Sequence, residues 1–204
     1  MKKIKIAVLV SGGGTNLQAL IDAQNDGIIQ HGEIALVISG NPEAYALTRA
    51  TNAGIPIAIV SKKELGSQEA FEDGILAEIE RYEIDLIVLA GFMSILSERF
   101  TSRFPRRILN VHPALIPSFC GKGYYGLRVH EAALAYGVKV TGATVHFVNE
   151  IPDGGEIILQ KAVDVYPHDT PATLQRRVME EAEWLILPEA TEMVCHDLFA
   201  LENL

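Results

Sequence analysis

Ile4-Lys5-Ile6-Ala7-Val8-Leu9-Val10-Ser11-Gly12-Gly13-Gly14-Thr15-Asn16 is the stretch that decides the fold. Its first seven residues are almost all apolar and read as a strand, the glycines end that strand, and Leu17, Leu20, Ile21 and Ala23 then recur at helical spacing. A strand, a glycine loop and a helix in that order open an α/β unit. The same order suits a phosphate: glycines let the backbone approach an anion, the helix start offers free N–H groups, and Thr15 and Asn16 add donors. A tight turn that needs glycine for steric reasons alone is the alternative. Gly12 and Gly14 fit G-x-G, but Leu17 stands at the third glycine position and no Gly-Lys-Ser/Thr follows. The phosphate of a small ligand therefore fits better than a dinucleotide.

Outward from this unit the pattern repeats. Strands are expected at 33–39, 55–60, 84–90 and 108–112, separated by helical segments at 42–52 and 67–82 and by a short helix containing Ile95 and Leu96. The prolines around Ile55 suit an edge strand, and the apolar run 84–90 suits a central one buried on both faces. Strands alternating with helices imply right-handed crossovers and a doubly wound, mostly parallel sheet. Beyond Pro117 come a glycine-rich loop at 118–126, a helix at 129–136, and strands at 139–148 and 156–165 joined through a turn. The last two strands are expected to be antiparallel additions at one sheet edge. A final helix begins at Thr170-Pro171 and runs to about His196, kinked or divided at Pro188.

The stretch Ile108-Leu109-Asn110-Val111-His112-Pro113 carries polar groups where a buried strand should not. Side chains alternate along a strand, so Asn110 and His112 point the same way, and Pro113 ends the ladder just after them. This holds both where open α/β sheets bind ligands, beyond the strand ends. Asp153 sits in an Asp-Gly-Gly turn, and its carboxylate either serves that turn alone or meets His112, favouring the imidazolium and raising its pKa. His146 is expected to face the core or a neighbouring strand. His130, at a helix start, is either structural or a phosphate contact.

Composition narrows the classes. The 204 residues suit one core, and we expect a single domain over 1–204. With 17 basic against 26 acidic residues the net charge is −9, which disfavours nucleic acid and anionic membranes as partners. No signal peptide and no long apolar span is seen, so a soluble, cytoplasmic protein is expected. Cys120 and Cys195 stand far apart and read as reduced thiols, and no metal cluster is evident.

Four segments taken together resemble the phosphoribosylglycinamide formyltransferases, over essentially the full chain. They are Ser-Gly-Gly-Gly-Thr-Asn-Leu-Gln at 11–18, Leu-Ala-Gly-Phe-Met at 89–93, Asn-Val-His-Pro-Ala-Leu-Ile-Pro at 110–117, and Val-His-Phe-Val with Asp-Gly-Gly at 145–155. The resemblance implies a Rossmann-like fold of formyltransferase type. It also implies transfer of a formyl group from 10-formyltetrahydrofolate, a co-substrate, to the amine of glycinamide ribonucleotide in purine synthesis. By it, Asn110, His112 and Asp153 form the catalytic set, Gly14, Thr15 and Asn16 bind the phosphate, and Glu183 contacts the ribose. Met93, Ser94, Ile95 and Leu96, with Asn110, Gln68 and the loop 149–153, would line the folate pocket. Small molecules are the implied partners; oligomeric state, a homodimer included, is open.

The chemistry agrees with the residues. An amine attacking a formyl carbon creates a tetrahedral oxyanion, which needs preorganised donors and no covalent nucleophile or metal. Asn110 and a protonated His112 supply donors, with Asp153 keeping His112 charged. The chain departs from the family pattern at Gln68, where many members have a folate-contacting arginine, at Arg128, at Glu156 and in the long 118–126 loop, where Lys122 is expected to close on an anionic ligand. Three rival readings stand beside this one. A methionyl-tRNA formyltransferase would bring a further domain and a basic face, a formyltetrahydrofolate hydrolase an extra N-terminal domain, and a nucleotide-phosphate binding module no reaction at all.

Overall fold

The computed structural model describes residues 2–202. Among them seven strands, β1 (Ile4–Val10), β2 (Gly32–Ser39), β3 (Ile57–Ile59), β4 (Leu86–Leu89), β5 (Ile108–His112), β6 (Val140–Phe147) and β7 (Ile157–Asp164), form one sheet in the order β3-β2-β1-β4-β5-β6-β7. β1 to β5 are mutually parallel, and β6 and β7 add antiparallel beyond β5. The doubly wound sheet with an antiparallel C-terminal addition is thus the observed architecture, and proline-flanked β3 is its edge.

The period of two sorts the strands between two cores. Ile6, Val8 and Val10 of β1 and Leu86 and Val88 of β4 pack with Leu17, Leu20 and Ile21 of α1 (Thr15–Asn25) and with Ala46 and Leu47 of α2 (Tyr45–Asn52). Ala7, Leu9, Ile87 and Leu89 face the other way, against Phe71, Ile75 and Ile79 of α4 (Gln68–Arg81) and Phe100 of α5 (Glu98–Thr101). A short α3 (Lys62–Leu65), capped by Ser61, precedes α4; the sequence pattern had not suggested it. α6 (Leu127–Tyr136) follows the glycine loop.

Two expectations are corrected. Ile95 and Leu96 lie in an irregular segment, and the helix there starts only at Glu98. The buried Glu72 carboxylate accepts from the Ser97 N–H at 2.7 Å and the Ser97 hydroxyl at 2.6 Å, pinning the segment to α4 before a helix can begin. The long last helix is divided upstream of Pro188. α7 (Pro171–Val178), capped by Thr170, passes through a π-helical turn at Met179–Glu183 into α8 (Trp184–Glu202), which contains Pro188. The Pro188 ring needs room against the carbonyl four residues before it, that of Trp184, and the wide turn ends just before that residue.

The chain moves outward from β1 to β3 and returns to β4 on the other side of β1. The crevice at the carboxyl ends of β1 and β4 is therefore the switch point, the place where doubly wound sheets receive ligands.

Candidate active site

A cleft of about 780 Å³ opens there, within the range of small-molecule sites. Asn16 enters it from the first turn of α1, Met93, Ser94, Ile95 and Leu96 from the segment after β4, Asn110 and His112 from β5, and Asp153 from the β6–β7 turn. Glu183 reaches it from the π-helical turn, beside Met179 and Gln175, and Lys122 from the glycine loop before α6. Gly14, Thr15 and Gln68 are not among its lining residues.

Asp153 joins the two polar residues of β5. Its Oδ2 lies 3.5 Å from His112 Nδ1, and its Oδ1 accepts from Asn110 Nδ2 at 3.4 Å. The residue is at once a turn residue, with φ of 56°, and the partner of the imidazole. The turn is packed tightly enough that a Cβ on Gly155 would stand 1.7 Å from the Phe147 carbonyl oxygen. The Gly121 N–H donates to Asp153 Oδ2 at 2.8 Å, a backbone contact no side-chain pattern could reveal. Burial opposes ionisation of Asp153, yet His146, His112 and the Gly121 N–H together hold its pKa below the ordinary value.

His112 is 4% exposed, and burial lowers its pKa more than the Asp153 carboxylate and the Phe119 carbonyl raise it. The expected rise is corrected in this state: desolvation wins over a carboxylate at 3.5 Å. Its Nε2 lies 2.8 Å from the Phe119 carbonyl oxygen. A carbonyl only accepts, so Nε2 carries the hydrogen and Nδ1 faces Asp153.

His146, expected to face the core or a neighbouring strand, is buried, lies against β5 and belongs to this cluster. β5 and β6 pair Asn110 directly with His146, whose Nε2 is 3.2 Å from Asn110 Nδ2 and 3.6 Å from Asp153 Oδ1. The sign that would have found it is the antiparallel β5–β6 register, which sequence alone did not supply. His130 is fully buried at the cleft wall with neither ring nitrogen bonded, and burial, helped by His112, pushes its pKa down to about 4.

On the opposite wall Asn16 Nδ2 donates to Glu183 Oε2 at 2.7 Å. Burial pushes the Glu183 carboxyl up to about 7 against that hydrogen bond. The start of α1 has no side-chain cap, so its N–H groups remain free for an anion. Gly14 has a nearer duty: at φ of 72° its Cα faces α2, where a Cβ would come within 2.6 Å of the Ala46 side chain. Thr15 lines a separate groove with Arg49.

Met93 and Ile95 are 55% and 62% exposed, an apolar wall suited to an aromatic ring. Gln68 holds this wall from behind. Its amide nitrogen donates to Glu72 at 2.6 Å and to the Ile95 carbonyl at 3.0 Å, and its oxygen accepts from Lys62 at 2.5 Å. Both amide hydrogens are thereby used in supporting the wall. Glu156 pairs with Arg106, whose guanidinium stacks on Phe147 at 4.3 Å, and Arg128 stacks on Tyr125. Among the described residues no group of three or more His, Cys, Asp or Glu is arranged to hold a metal, and no helix is long and apolar enough to cross a membrane.

The fold and this site define an α/β protein in which a buried imidazole and a partly buried amide and carboxylate meet at the carboxyl edge of a doubly wound sheet. Within that class the chain belongs to the formyl transferase family, whose family model matches residues 4–191. It is 45% identical over 184 residues to a phosphoribosylglycinamide formyltransferase of Haemophilus influenzae, covering 90% of this chain and 84% of that one. The chain is also 45% identical to part of the human trifunctional purine biosynthetic protein adenosine-3, over 95% of its own length but 18% of the relative's. In the corresponding chicken and Drosophila melanogaster proteins it spans 18% and 14%. A crystal structure of glycinamide ribonucleotide transformylase 1 from Symbiobacterium toebii superposes with a TM-score of 0.89 at 42% identity, covering 96% of this chain and 89% of that one.

Proposed function

We propose that the chain transfers the formyl group of 10-formyltetrahydrofolate to the primary amine of glycinamide ribonucleotide, a step of purine biosynthesis. The observation that carries this reading is the meeting of Asn110, His112 and Asp153, with Asp153 3.4 Å from the amide and 3.5 Å from the imidazole, on the wall of the cleft. The wall from Met93 to Leu96 takes the folate ring system. Asn16, Glu183 and the free N–H groups opening α1 take the ribose and phosphate.

The amine attacks the formyl carbon and the carbonyl oxygen becomes an oxyanion. Asn110 donates one amide hydrogen to it, and the His112 Nε2–H that meets Phe119 in the resting state turns to it. Negative charge at that point raises the affinity of His112 for a second proton, and Asp153 beside Nδ1 balances the resulting imidazolium. Collapse breaks the bond from the formyl carbon to the folate nitrogen, forms the new amide, and passes the proton lost by the amine to the departing nitrogen.

Purified protein is expected to release tetrahydrofolate only when both formyl-folate and glycinamide ribonucleotide are present, followed by absorbance. Release without the amine would mark a hydrolase, and none at all a binding module.

A further inference from the structure

We infer that His146 is a positioning residue for this reaction, fixing which way the Asn110 amide faces. The inference rests on the formyl-transfer reading above. His146 is 1% exposed, and both of its ring nitrogens have partners within the protein. Its Nδ1 lies 2.7 Å from the carbonyl oxygen of the next residue, Phe147. That oxygen only accepts, so Nδ1 carries the hydrogen and, in the neutral ring, Nε2 is a bare acceptor.

Nε2 stands 3.2 Å from the Asn110 amide. An acceptor at that point demands the amide nitrogen; turning the amide over would set oxygen lone pairs against a nitrogen lone pair. The Asp153 Oδ1, also an acceptor, makes the same demand from the other side at 3.4 Å. Asn110 is thus held with both hydrogens pointing into the cluster. The contact to Asp153 is the longer of the two and the one a formyl oxygen displaces at least cost, while His146 keeps its hold. Without His146 the amide is free to rotate and present its own oxygen to the developing oxyanion, which repels it.

Two substitutions separate this role from simple core filling. His146→Leu removes the acceptor, and His146→Gln restores one through its amide oxygen. We expect kcat in His146→Leu to fall by about a hundredfold, the scale of losing one oxyanion donor, with both KM values within about twofold, and His146→Gln to recover most of the loss. Equal losses in both variants, or a change confined to KM, would overturn the inference. A second readout does not depend on turnover: the side-chain NH2 pair of Asn110 in a 1H–15N spectrum, assigned with Asn110→Asp. It should shift in His146→Leu and stay near its wild-type position in His146→Gln; no shift in the leucine variant sinks the inference. Should the leucine variant fail to fold, His146→Asn takes its place, since its shorter amide withdraws the acceptor. A wild-type protein that shows these amide shifts but transfers no formyl group counts against the reaction and not against the positioning.

Discussion

Glu183 is a carboxyl group with almost no water around it, and its proton is correspondingly hard to remove. Burial raises its pKa from 4.5 to about 7. Below pH 4.5 the folded and unfolded chains both hold this proton. Between there and neutrality the unfolded chain ionises while the folded one does not, so this group's contribution to stability falls as pH rises, and above about pH 7 the cost is present in full. The window is worth about 3 kcal/mol. Glu183→Gln is therefore expected to melt higher than wild type at pH 8 and about level with it at pH 4.5, by calorimetry; a melting difference that does not vary with pH would contradict the account. Residues of this kind are partly legible in sequence. Asn110 and His112 stand out because polar groups two apart in an apolar strand violate its pattern, whereas Asp153 reads first as a turn residue and only the family resemblance marks it as part of the site. His146 does not stand out, since a histidine in an alternating strand offends no rule until its cross-strand partner is known.

The segment after β4 shows how elements support one another. Residues 91–97 have no regular structure of their own, yet they form the apolar wall of the cleft, and α4 supplies the order they lack. Gln68 and Glu72, one helical turn apart, reach the same segment through Ile95 and Ser97. Removing the Gln68 amide leaves the Ile95 carbonyl without its tether, at a cost of about 1 kcal/mol per hydrogen bond. In Gln68→Ala the KM for the formyl donor should rise by about fivefold, with kcat and the KM for the amine substrate unchanged. A donor KM equal to wild type would show that the wall stands without this residue. The strands and the longer helices followed from periodicity to within a few residues, because burial on one or two faces writes itself into the sequence. The short helix expected at Ile95 and the π-helical turn escaped for a common reason. Both depend on side chains of distant elements or on the room a proline needs, which a local pattern does not encode.

At the scale of the whole molecule, the doubly wound order was readable because strands alternate with helices, and the switch point between β1 and β4 then gives the cleft its place. What the order could not show was that Asn16 and Glu183, 167 residues apart, would meet across that cleft. Charge is the remaining property of the molecule as a whole. The protein carries a net charge of −9, and of the side chains lining the cleft Lys122 is the cation, against Glu150 and Asp153, with Glu183 adding its charge above about pH 7. Both proposed substrates are anions, one through a phosphate and the other through carboxylates. Each approaches against a field that water alone screens weakly at low salt, where the Debye length is about 30 Å at 0.01 M, and strongly at 0.15 M, where it is about 8 Å. Raising ionic strength over that range should therefore increase kcat/KM by about threefold or more, through the association step and with kcat unaltered. Steering by a local basic patch would give the opposite slope. A decrease in kcat/KM with salt, abolished in Lys122→Ala, would show that the loop bearing this lysine draws substrates in and overrides the charge of the rest of the chain.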